Sequence, residues 1–362
     1  MKTIDYTIPY TTEYTIEGHL ARHYNKDNLL FFDIETTGFI AANTTLYLIG
    51  VLWYENHNLH IRQWFNEDGK SEKELILSFL TFCDKYTHLV HFNRIGFDLP
   101  YLKQKSDILS IAMQLEQTMS QIDIYKRIKP YKNVFALDNM KQVSIERYLN
   151  LQRDDIYSGK ELINIYQRYV ANPDRVTEEI LLMHNHDDLL GMIRVSQILN
   201  YTDFFEEISI EQISMNCTDE QLIIHFHYDN QISLPKRLST SKKGIYLNAL
   251  GCEGTLHIPI CKDSLKHYFA DYKNYYYLPL EDVAIHKSIA TYVENDNKRK
   301  ATRQTCYTKQ YNRYIPCHVA DTYQIFQYDI NDKELFQTVE SLLDNSFENQ
   351  CIYIKNTLQI LL

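Results

Sequence analysis

Glycine is scarce in this 362-residue chain, at 10 copies, while tyrosine reaches 29. That skew reads as codon usage and carries no functional signal. No apolar run approaches the roughly 18 residues of a membrane-crossing helix. Asp5, Glu13, Glu17 and Asp27 interrupt the first 30 residues, which excludes a secretory leader pattern there. The seven cysteines are odd in number, scattered, and never arranged as CxxC. A disulfide scaffold is thereby excluded, and a reduced, cytoplasmic setting is expected. Cys252, His257 and Cys261 could be drawn as zinc ligands, but their spacing matches no familiar knuckle. Basic charge is also in deficit: 37 Lys and Arg against 47 Asp and Glu, a net charge of −10. Both halves of the chain share the deficit, so a non-specific DNA-coating protein is excluded. An enzyme with a local basic groove is not.

What is present is ample apolar material, 44% of residues, arranged in alternating strands and helices. Leu29–Leu30–Phe31–Phe32–Asp33–Ile34–Glu35 is short, apolar and aromatic, as a buried strand is. Residues 46–54 and 59–65 form two further strands around the turn 55–58. Helical spacing covers 71–86, a short strand 88–92, and a helix begins at Asp98. Residues 121–170 are mostly helical, and a long helix runs over 177–199, capped by Thr177. Near residue 203 the pattern changes to short strands at 222–228, 244–250 and 255–260. A helix at about 332–343 and a strand at 351–354 close the chain. The arrangement is α/β followed by a smaller β-rich α+β domain. The expected divisions are a lead-in, 1–27, a first domain, 28–204, and a second, 205–362.

Two acids on the first buried strand stand out. A period of two places Asp33 and Glu35 on one face. Side by side in a core they repel each other and resist desolvation, and a divalent cation removes both penalties. The ordinary alternative is a solvated strand end. Asp98 follows the 88–92 strand at a helix start, where an acid also serves as an N-cap. His184 and Asp188 lie one helical turn apart on one face.

Together these residues resemble the DEDD exonuclease superfamily of the ribonuclease H-like fold. Asp33-Ile34-Glu35-Thr36-Thr37-Gly38 is similar to its first motif, DxETTG. Asn93 through Phe97-Asp98 is similar to the second, an Asn followed by Phe-Asp. His184-x-x-x-Asp188 is similar to the third. The order is right, with spacings of 65 and 90 residues. The stretches 92–102, 123–132, 153–170 and 184–190 resemble the YprB-like branch, over about residues 28–200. His184 departs from the pattern: it has the spacing of the family's tyrosine version and the residue of its histidine version. Asp187 therefore stays open as an alternative to Asp188.

The resemblance implies a mixed central sheet flanked by helices and a 3′-5′ exonuclease acting on single-stranded DNA or RNA. It implies two divalent cations, Mg²⁺ or Mn²⁺, held by Asp33, Glu35, Asp98 and Asp188, with His184 acting on the attacking water. Thr36, Thr37, Asn93 and Phe97 would touch the terminal nucleotide. Asp123 and Ser158-Gly159 are marked by the branch resemblance alone. Backbone grip would come from 298–313, where Lys298, Arg299, Lys300, Arg303, Lys309 and Arg313 occur with no acid among them. Tyr307 and Tyr311 intersperse them, a combination suited to single strands; a solvated basic loop is the plain alternative. A weakly active or inactive nucleic-acid-binding module built on the same fold and a structure-selective endonuclease are the rival functions.

Overall fold

The computed structural model describes every residue except 12–13, 93–95, 152–156, 158 and 319–323. The chain divides into two units, one of residues 1–206 with 231–236, the other of 207–230 with 237–362.

The first unit is built on six strands: β1 (Lys2–Pro9), β2 (Leu29–Thr36), β3 (Leu46–Glu55), β4 (Asn58–Phe65), β5 (His88–His91) and β6 (Ser120–Asp123). Their order is β1-β4-β3-β2-β5-β6. The pairs from β1 to β2 are antiparallel, whereas β5 and β6 add in parallel beyond β2. The lead-in is thus partly an edge strand. The sheet is mixed because the 55–58 turn permits a tight hairpin, whereas β5 and β6 are reached by longer crossovers.

Both faces are covered. Leu30, Phe32 and Ile34 of β2 pack with Leu75 and Phe79 of the Glu72–Cys83 helix and Leu102 of the Asp98–Ile108 helix. The Phe32 and Phe79 rings stack at 4.8 Å. On the opposite face Tyr47, Leu48 and Phe65 meet Tyr166 of the Gly159–Ala171 helix and Leu181 of the Arg175–Val195 helix. That second helix is capped by Asp174, whose side chain accepts from Thr177 N. Thr177 was expected as the cap; it lies inside, because Asp174 supplies the acceptor one turn earlier.

The second unit holds a five-stranded antiparallel sheet of order β7-β8-β11-β10-β9, except that β9 begins within the stretch 231–236 assigned to the first unit. Its strands are β7 (Ile210–Cys217), β8 (Gln221–Tyr228), β9 (Leu234–Lys242), β10 (Ile245–Gly251) and β11 (Glu253–Pro259). Two three-stranded sheets follow. One joins β12 (Cys261–Tyr268), β16 (Tyr307–Cys317) and β17 (Leu335–Thr338); the other joins β13 (Tyr275–Leu278), β14 (Val283–His286) and β15 (Arg299–Lys300). Two expectations fail at the end of the chain. Residues 335–338 are strand, and the helix there is only Val339–Leu343. Residues 351–354 are helical, within Phe347–Leu361. Tyr353, Ile354, Thr357, Leu358 and Leu361 are its buried positions, a helical stripe closed at its start by the Ser346 cap.

Candidate metal centre

Strand alternation decides which face of β2 becomes chemical. Leu30, Phe32 and Ile34 point into one core, so Asp33 and Glu35 point the other way, toward the Arg175–Val195 helix. That helix presents His184, Asn185 and Asp188. His184 Nε2 lies 3.5 Å from Glu35 Oε1 and 3.4 Å from Asp188 Oδ2. Ligand-capable atoms of Glu35, His184 and Asp188 all fall within 4.8 Å of one another. Tyr47 OH donates to Glu35 Oε2 at 3.4 Å. Asp187 turns away, next to the His186 ring at 3.2 Å.

Asp33 is held by a residue the sequence reading passed over. Asn185, fully buried, donates from Nδ2 to Asp33 Oδ2 at 2.8 Å. Its own Oδ1 accepts from Gln63 Nε2 at 2.9 Å, and Gln63 also reaches Leu182 O at 2.9 Å. Gly50 pairs with Asp33 across the sheet, and a Cβ there would stand 1.9 Å from Asn185 Oδ1. One glycine in a strand of large apolar residues was the available signal, since it marks a close approach.

Asp98 is the first residue of the Asp98–Ile108 helix, and Phe97 occupies the cap position. Burial, then Glu35, Asp123 and Asp188, push its carboxyl up to about 7. Burial first, then Glu35, Asp188 and Asp98, raise Asp33 well above the usual carboxylate range, with the Asn185 hydrogen bond opposing. Asp33 and Asp98 thus each lie in the field of Glu35 and Asp188. A cluster that resists its own ionisation is a hard-oxygen site of the kind a divalent cation stabilises.

Around the acids, Thr36 Oγ1 donates to Gly38 O at 2.9 Å, and Thr37 Oγ1 accepts from Thr45 N at 2.8 Å. Both threonines thus shape the loop after β2. Phe97 lies edge-on to Phe39, which is 80% exposed. Asn93 and Ser158 lie outside the described residues. Asp123 caps the Ile124–Ile128 helix by accepting from Lys126 N. Beside it His91, at the end of β5, is buried, and its ring nitrogens have no hydrogen-bond partner among the described residues. A second cluster joins the buried His19 and Asp203 with the exposed His23. Arg22 and Arg127 complete it: Arg22 donates to Asp203 at 3.0 Å and Arg127 to His19 Nε2 at 2.7 Å. With both His19 nitrogens and both Asp203 oxygens engaged, this is a structural network.

The basic stretch of the second unit is less free than its sequence suggested. Lys298 Nζ donates to Ala290 O and Val293 O, at 2.6 and 2.7 Å. Lys309 pairs with Asp282, whose carboxyl is held well below its usual range by Lys309, Tyr307 and Tyr277. Arg313 pairs with Glu340. Arg299, Lys300 and Arg303 remain exposed, Arg303 lying over the Tyr272 ring at 6.0 Å. The drawn zinc set does not assemble: Cys252 Sγ lies against His227, Cys261 Sγ against Tyr328, and His257 against Gln221.

Residues 30–200 match the family model described as RNase_H superfamily. "Uncharacterized protein YprB" of Bacillus subtilis (strain 168) is 26% identical over 178 residues, 48% of this chain and 42% of the relative. The chain thus spans less than half of that relative's length. Among solved structures, the family B DNA polymerase of the hyperthermophilic archaeon Pyrobaculum calidifontis aligns at 11% identity and a TM-score of 0.37. That alignment covers 68% of this chain and 35% of the polymerase. The mixed sheet and the match over 30–200 identify a ribonuclease H-like domain, a superfamily whose members are generally nucleases.

Proposed function

We propose that the protein is a divalent-cation-dependent 3′-5′ exonuclease that hydrolyses single-stranded nucleic acid to nucleoside monophosphates. The observation that carries the reading is the gathering of Glu35, His184 and Asp188 beside Asp33 on one face of β2, with Asp98 close enough to share their field. Glu35, Asp188 and Asp33 would hold one cation, and Asp33 with Asp98 a second. When bound, a pair of Mg²⁺ or Mn²⁺ ions supplies a Lewis-acid field to the attacking water and the leaving 3′-oxygen. His184 orients that water and accepts its proton, the task an imidazole performs near neutral pH. Asn185 fixes the rotamer of Asp33, so that the carboxylate pair is set before substrate arrives. Phe97 and the Thr36–Thr37 loop border the place of the terminal nucleotide, and Asn93 belongs with them by motif. Arg299, Lys300 and Arg303 offer the second unit's exposed cations to phosphates. The polarity of digestion rests on the motif resemblance.

The test is a degradation time course on 5′-labelled single-stranded DNA and RNA of matched sequence, with Mn²⁺, Mg²⁺ or chelator. The expected result is a metal-dependent ladder shortening from the 3′ end and absent in Asp33→Ala. Cleavage of a circular substrate would favour an endonuclease instead. No cleavage of any substrate, by folded protein shown to bind Mn²⁺, would leave the binding-module reading.

A further inference from the structure

Local irregularities in the second unit converge on one side-chain cluster. β7 carries a bulge: Ile210 pairs with Tyr228 and Gln212 with His227, leaving Glu211 as the extra residue. A bulge re-aims the side chain it carries, and Glu211 Oε2 lies 3.5 Å from His227 Nδ1. The β10–β11 hairpin closes through Gly251 and Cys252, between the paired residues Leu250 and Glu253. Gly251 has φ of 60°, the left-handed geometry that a tight two-residue turn requires at its first position. Tyr228 clamps the turn to β8. Its amide donates to Cys252 O at 3.0 Å and its hydroxyl to Gly251 O at 2.6 Å. The turn delivers Cys252 Sγ to 3.3 Å from His227 Nε2.

The result is a line of thiol, imidazole and carboxylate. His227 Nδ1 is buried and has no hydrogen-bond partner among the described residues, and the Glu211 carboxylate faces it at 3.5 Å. Glu211 faces the ring nitrogen opposite the thiol, so a single metal ion could not be held by all three groups. Cys83, Cys306 and Cys317 are buried, whereas Cys252, like Cys261 and Cys351, is only half-buried, and it sits on a hairpin tip. An open depression of about 290 Å³ has His227 in its wall, with polar Gln212, Ser214, His225, Glu253 and Thr255 beside apolar Ile213 and Phe226, room for a small molecule next to the imidazole.

We propose that Cys252 is a nucleophilic thiol, activated by His227 and oriented through Glu211, that reacts with small polar electrophiles. The thiol proton passes to His227 Nε2, and the imidazolium is stabilised by Glu211. The sulfur then attacks the electrophilic carbon. With an alkyl halide as probe, the S–C bond forms as the carbon–halogen bond breaks, and halide leaves with the electron pair. A free thiol near neutral pH is mostly protonated, so a neighbouring base raises its reactivity.

The experiment treats the full chain with iodoacetamide at neutral pH, with glutathione in the same tube, and follows each cysteine by peptide mass spectrometry. Cys252 is expected to react about tenfold faster than glutathione, and to lose about that factor in His227→Gln. Glu211→Gln should slow it severalfold. Cys217, which sits 3.3 Å from Arg313 Nη1, is scored separately and should be unmoved by either change. A Cys252 rate at or below that of glutathione overturns the proposal, as does a rate indifferent to both substitutions. Glu211 is half-exposed at its side chain, so its variant keeps the test decisive should His227→Gln fold poorly.

Discussion

Replacing Asp98 with asparagine should stabilise the metal-free protein while removing the part of its metal response that needs a second cation. The carboxyl is pushed from its ordinary range to about 7, first by burial and then by Glu35, Asp123 and Asp188. One pKa unit is worth about 1.4 kcal/mol, so the shift sets an upper bound of about 4 kcal/mol on the cost of ionisation at neutral pH. Asp98 retains partial solvent access, and screening reduces the expected gain in Asp98→Asn to about 1–2 kcal/mol. The sign follows from a raised folded-state value: the favourable contribution is complete below the unfolded value near 4 and is lost as pH rises toward 7. The variant's advantage should therefore be largest at about pH 8 and shrink toward about pH 5. At roughly 2–4 °C per kcal/mol for a unit of this size, that is a rise of about 2–8 °C in chelator. Thermal unfolding by scanning calorimetry reads it directly. Saturating Mn²⁺ should reverse the order, since at about a hundred times its Kd the second ion, the one that needs Asp98, adds about 2.7 kcal/mol to wild type alone. A variant less stable than wild type in chelator, or equally stabilised by Mn²⁺, refutes the shared-cation reasoning.

His184→Gln should reduce nuclease turnover by about 10²–10⁴-fold with an unchanged circular dichroism spectrum; an unaffected turnover would remove the imidazole from the chemistry. Gly50→Ala drives a methyl group into Asn185 Oδ1, and should cost about 1–3 kcal/mol in urea unfolding and weaken Mn²⁺ binding in calorimetric titration. Asp203→Ala strips the acid from between Arg22 and His19, and should cost about 3–5 kcal/mol by the same unfolding assay.

The acids of the candidate centre were legible because they violate their surroundings. Asp33 and Glu35 interrupt an apolar strand, and His184 with Asp188 repeats at one helical turn, so a short window contains the signal. Asn185 was not legible in that way. An asparagine within a polar segment violates nothing, and its role depends on Gly50, 135 positions earlier in the chain. Beyond the three strands legible in its sequence, β8, β10 and β11, the second unit hid others for a related reason. β12 buries Leu265 fully and leaves its other residues partly or largely exposed, so its alternation is faint. The terminal helix shows its period only when the window extends past Ile354 to Leu358 and Leu361.

Charge shows most plainly why local reading runs out. Residues 298–313 contain no acid, yet Lys309 and Arg313 are paired, because Asp282 and Glu340 come from outside that window. Lys298 is satisfied by backbone carbonyls that no composition count registers. Strand pairing also assigns the remaining cations. Tyr276 pairs with Lys300 and Tyr277 with Arg299 across β13 and β15, placing exposed basic residues beside tyrosines from a different segment. The aromatic partners expected within the stretch are otherwise occupied in one case: Tyr307 is buried and bonded to Asp282, whereas Tyr311 stays exposed. A nucleic-acid surface on this unit would therefore be composed of Tyr276, Arg299, Lys300 and Arg303, a set defined by sheet register. Substituting Lys309 would instead release Asp282 and perturb the tyrosines around it.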